Sequence, residues 1–129
     1  MKYYISTIVR NTSFEDTIAK VTGLLKEEGF GILTEINVSE TMKKKLDVDF
    51  RKYRILGACN PPFAYRALQA EDKIGTMLPC NVIVQELKET EIEVAAVDPL
   101  SSMMAVENQQ LADIATQIRD KLEKVIRNL

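Results

Sequence analysis

Two cysteines, each followed by asparagine, carry most of the chemistry in this sequence: Cys59-Asn60-Pro61-Pro62 and Pro79-Cys80-Asn81. A thiolate is a nucleophile and a soft metal ligand. A carboxamide brings both a donor and an acceptor. Each pair falls where a strand meets another element, so the two segments could converge on one pocket. Cys59 precedes a helix start, but a helix terminus is worth only about 0.3–1 kcal/mol to a nearby charge, under one pKa unit. The chain has no histidine. That removes the usual general base near neutral pH and the base that activates serine and cysteine nucleophiles. Activating Cys59 would fall to Arg54 or Arg66; otherwise it is a small packed hydrophobe. Cys80 opens an apolar strand, and packing is the simpler reading there.

The asparagines suit a helix cap and a turn. Their amides could equally line a pocket with helix N–H groups, and such a pocket suits a carboxylate or phosphate. Gly57 lets another group approach its strand closely. Asp98, before Pro99, is a turn former or a general base. The ligand-binding candidates are therefore Gly57, Cys59, Asn60, Pro61, Pro79, Cys80, Asn81 and Asp98. Two thiolates leave a zinc site incomplete, so no metal is assigned. The phosphate loop, the nucleotide fingerprint and the nucleophile elbow are all missing, so no catalytic residue and no cofactor is assigned.

The elements that must position these residues are legible from periodicity. Residues 2–9 are β-branched and aromatic, a strand. Thr12 with Glu15 fits a capping box and Ser13 with Asp16 a second one. Phe14, Ile18, Val21 and Leu25 make one helical stripe, stopped at Gly29. Phe30 to Val38 reads as a strand with Ile32, Thr34, Ile36 and Val38 on one face. Ser39 caps a short helix ending in Lys43-Lys44-Lys45, a solvated face. Tyr53 to Cys59 is the third strand, with Tyr53, Ile55, Gly57 and Cys59 on one side and Arg54, Leu56 and Ala58 on the other. Asn60 caps a short helix to about Ala70, whose small residues favour close packing, and Asp72 to Gly75 is a turn. Cys80 to Leu87 and Glu91 to Val97 form a hairpin, with Glu89, Glu91 and Glu93 as its charged edge. A last helix runs from about Asn108, with Leu111, Ile114, Ile118, Leu122 and Val125 in its stripe; Met103 and Met104 before it are core filler or a soft interface.

This order predicts an α+β fold in one domain, 1–129: five mostly antiparallel strands in one sheet, two long helices on one face and short helical insertions between strands. The chain has 129 residues and a formal net charge of −2, with no tryptophan. No basic field invites nucleic acid or an anionic membrane. The sequence shows no secretory signal, and no apolar run is long enough to span a bilayer. With two thiols and no export signal, a cytoplasmic location is expected.

Gly57-Ala58-Cys59-Asn60-Pro61, Ala64, Leu68, Ile74-Gly75, Leu78-Pro79-Cys80-Asn81-Val82 and Asp98-Pro99 together resemble the bacterial and archaeal domain of unknown function 302, over nearly the whole chain. The resemblance implies a fold like one repeat of TATA-binding protein, β-α-β(4)-α, and a homodimer. It brings no activity, and fold likeness does not license DNA binding. Three readings of function follow. The first is a homodimeric ligand-binding or regulatory module with its pocket near the two Cys-Asn motifs. The second is a thiol-dependent enzyme or redox protein using Cys59 and Cys80. The third is a structural dimerisation module. The partners expected are a second copy and a small-molecule or anionic ligand.

Overall fold

A computed structural model describes residues 2–129. The strands are β1 (Tyr4–Arg10), β2 (Gly31–Asn37), β3 (Tyr53–Cys59), β4 (Cys80–Lys88) and β5 (Glu91–Val97). The helices are α1 (Phe14–Glu27), α2 (Val38–Leu46), α3 (Pro61–Ala70), α4 (Pro99–Ser102) and α5 (Gln109–Arg127). The segment Asp72–Met77, expected as a turn, winds into a 3-10 helix. The strands form one sheet in the order β1-β5-β4-β3-β2, every neighbouring pair antiparallel. The α+β architecture expected from periodicity is the one observed.

Alternation divides the sheet into two unlike faces. On one, Leu56 and Ala58, Val82 and Val84, and Ile92, Val94 and Ala96 are buried. Both long helices lay their stripes against it: Phe14, Ile18, Val21 and Leu25 of α1, and Leu111, Ile114, Ile118, Leu122 and Val125 of α5. Each such side chain contributes about 1.5–3 kcal/mol by leaving water. The other face carries Tyr4 and Ile8, Ala95 and Val97, Ile83, Tyr53 and Ile55, and Ile36, with no long helix over it. Ile8 and Ile36 are 37% and 49% exposed, so this face is apolar and open.

Several local expectations are corrected. A bulge between Ile32 and Thr34 breaks the alternation of β2. Ile32 therefore packs on the core opposite Ala58, while Thr34 and Ile36 face the open side. The cap of α1 is Ser13, whose hydroxyl accepts from the Asp16 N–H. The cap of α2 is Asn37, not Ser39: its side-chain oxygen takes the Glu40 N–H, and Ser39 hydrogen-bonds to that same oxygen. Glu91 and Glu93 are not at an edge, because β1 pairs outside β5. Glu91 stands opposite Arg10, and Glu93 accepts from Gln85 Nε2 at 2.7 Å.

Candidate functional site

The segments singled out by sequence meet where the ends of β3 and β4 run under α3. Their contact point is Gly57. A Cβ there would overlap Thr34 Oγ1 on β2 and press on Pro79 Cγ at 2.9 Å. Glycine is required because two neighbours occupy its side-chain space. The close approach expected at Gly57 is thus filled by the protein itself. The Leu78–Pro79 peptide bond is cis.

Ala58 and Cys80 are register partners, both on the helix-packed face. Cys59 is one residue further along and pairs with Gly31 of β2, so alternation assigns it to the opposite side. Both thiols are free; Cys59 is half-buried and Cys80 is buried. Burial pushes the Cys80 thiol up to about 11, and the neighbouring Cys59 adds to the rise. Both effects disfavour a thiolate. Cys80 is a packed hydrophobe at neutral pH, not a nucleophile.

The two asparagines part company. Asn60 stands at the N-cap of α3, but its side chain caps nothing there. Instead its Nδ2 donates to the Glu28 carbonyl at 3.1 Å, beyond the end of α1. Gly29 makes room for it: φ is +88° and a Cβ would lie 3.1 Å from Asn60 Nδ2. Asn81 is exposed and lies across the sheet, in a shallow hollow with Tyr3, Tyr4, Tyr53 and Glu93. The amides therefore do not share a pocket. Nor does α3 offer a full set of N–H donors, since Pro61 and Pro62 supply none.

Asp98 is structural as well. One carboxylate oxygen accepts from the Leu100 N–H at 3.0 Å and caps α4. The other accepts from Arg119 Nε at 3.1 Å. Arg119 in turn reaches Glu123, which also holds Arg127, so the end of β5 is fastened to α5.

What the fold builds beside these residues is a cavity of about 280 Å³ between α3, α5 and the ends of β3 and β4. Cys59, Asn60, Pro79 and Cys80 line it; Gly57, Pro61, Asn81 and Asp98 do not. Its walls are otherwise apolar, with Phe30 and Phe63, Leu68 and Leu78, Met103, and Ile114 and Ile118. The small residues of α3 explain the space. Ala64 and Ala67 face Ala115 of α5 across it. Sequence suggests that they bring the helices into tight contact, but the helices are held apart at both ends of α3. Asn60 ties its start to α1. Asn108 ties its end to α5, its Nδ2 donating to the Ala70 carbonyl at 2.9 Å while its Oδ1 caps α5 through the Gln110 and Leu111 N–H groups. Sequence reasoning missed these walls because Phe63, Met103, Ile114 and Ile118 read as ordinary core; the one signal was alanine where a core would carry leucine. Among the described residues, no three cysteines or carboxylates gather as a metal site. No helix among them is long and apolar enough to cross a membrane.

A one-sheet α+β domain with an apolar cavity at its strand ends is the class this geometry defines. The particular family follows from comparison: residues 5–129 match the model of the domain of unknown function DUF302, and the chain belongs to that family. It is similar to the crystal structure of an uncharacterized conserved DUF302 protein from Bacillus stearothermophilus, with 27% identity, 98% of each chain covered and a TM-score of 0.89. A search of curated proteins finds no match.

Proposed function

We propose that this protein is a homodimeric binding module that holds a small apolar molecule in the cavity between α3 and α5. The observation that carries this reading is the cavity itself. Its volume, about 280 Å³, lies near the lower end of the roughly 300–1,000 Å³ of small-molecule sites. Its lining is almost wholly carbon and sulfur, and the polar side chain at its edge, Asn60, is already engaged with Glu28. Such a site favours a compact hydrophobic body over a bare phosphate.

Dimerisation through the open sheet face supports the same reading. Five strands at about 4.8 Å spacing and seven residues at about 3.3 Å give a face roughly 24 by 23 Å. With side-chain relief that approaches the ~800 Å² per partner of a standard interface. The apolar row Tyr53, Ile55, Ile83 and Ala95 runs through its middle, where an interface is most desolvated. The cavity opens on the other side, so a dimer leaves it free. A thiol-dependent enzyme is the weaker reading, because Cys80 holds its proton to about pH 11 and the chain has no histidine.

The test is native mass spectrometry of the purified protein beside its Ala64→Leu variant. A dimer carrying a small molecule that the cavity-filling variant loses supports the module. A wild-type protein that neither retains nor takes up any apolar compound sinks the binding reading; a monomer at micromolar concentration sinks the dimer. Ile83→Asp, a charge in the middle of the open face, is expected to give a folded monomer by light scattering with the cavity intact.

A further inference from the structure

The rim of the cavity is not apolar. Phe63 forms part of its wall, and two cations flank the ring: Arg66 Cζ lies 5.2 Å from the centroid and Lys121 Nζ 5.9 Å. Arg66 is exposed, and among the described residues it forms no ion pair. Asp113 borders the same groove, but it is engaged by Gln109 Nε2 and lies outside salt-bridge reach of Arg66. Lys121 has only a loose partner, Glu28 at 4.0 Å, and Glu28 is held more closely by Lys124 at 3.3 Å. Most exposed charges of α2 and α5 are matched within their own helix, as in Lys44–Glu40 and Arg119–Glu123. The two unsatisfied cations therefore coincide with the one aromatic ring that joins the cavity wall to the surface.

We infer that the ligand is a compact amphipathic anion: an alkyl or aryl body in the cavity and a carboxylate at the Phe63 rim, facing Arg66 and Lys121. This inference rests on the cavity reading above and adds the charge to it. An apolar body gains about fourfold in affinity per methylene buried. A carboxylate gains from the guanidinium fork of Arg66 and the ammonium of Lys121, both already oriented by the ring. Because the rim is open to water, the charge contributes modestly and is screened by salt, whereas the apolar term is not.

Titration calorimetry of the purified protein decides the matter, with hexanoate, octanoate and benzoate against their neutral amides. The expected result is that each acid binds about tenfold tighter than its amide, that the preference shrinks at high salt, and that R66Q/K121Q removes the preference while leaving amide binding in place. Equal affinity of acid and amide in the wild type overturns the inference and leaves the cavity reading standing. Failure of every acid and amide to bind overturns both.

Discussion

The two Cys-Asn pairs are the same dipeptide in opposite positions. In the first, cysteine is half-buried at the end of β3 and asparagine is buried, pinning α3 to the end of α1. In the second, cysteine is buried under the helices and asparagine stands exposed on the open face. The difference comes from strand parity. One pair ends a strand and the other starts its antiparallel neighbour, so equivalent residues are sent to opposite sides. A repeated motif in a sequence is therefore no guide to a shared site until register is known.

The contact between the motifs gives the largest expected effect. Gly57→Ala forces a methyl group into Thr34 and Pro79 and should cost up to about 3 kcal/mol of stability in denaturant unfolding. Thr34→Ala in the same chain should return part of it. An unchanged midpoint for Gly57→Ala would mean that β2 and β3 are not pressed together there.

Alkaline titration comes next. The folded Cys80 thiol titrates at about 11 against an ordinary value of 9.0, so the native state keeps its proton longer than the unfolded chain. Its stabilisation is complete below pH 9 and is lost as pH rises through about 11, a change on the order of 2–3 kcal/mol. Cys80→Ala should flatten that part of the stability profile, and Cys59→Ala should not. Matching profiles for the two variants would erase the contrast between the cysteines.

Smaller effects separate the asparagines. Asn60→Ala leaves the Glu28 carbonyl without its donor and is expected to cost about 1–2 kcal/mol by thermal unfolding. Asn81→Ala should stay within about 0.5 kcal/mol. Reversal of that order would invert the assignment of which pair is structural. The smallest effect is kinetic: an alkylating agent at pH 8 should modify Cys59 well before Cys80, and Cys59→Ser should change stability by less than about 0.5 kcal/mol.

Much of the fold was legible because its signals are periodic. Ile92, Val94 and Ala96 announce a half-buried strand, and Leu111, Ile114, Ile118 and Leu122 a helix stripe, whatever surrounds them. What depends on neighbours in space was not legible. The bulge at Ile32/Thr34 reversed a face that alternation alone would assign, and Asn37 displaced Ser39 as a cap because β2 ends directly in α2. The cavity is harder still, since its lining comes from helices, strand ends and loops far apart in the chain. Each wall residue is an ordinary core residue by itself. Only the spacing of α3 from α5, set by the two asparagine ties at its ends, turns their alanines into empty space.

The first strand in the chain is an edge strand, and its only partner is the last. Tyr4 through Arg10 bond with Val97 back through Glu91. On the ribosome, β1 must therefore wait while about 90 further residues are added, some 5–20 seconds at ordinary elongation rates. During that interval α1, capped by its own Ser13, and then the β2–β3 pair can form from chain already made. The sheet thus grows from β2 toward β1, and the N-terminus, first to emerge, is the last strand to be locked in.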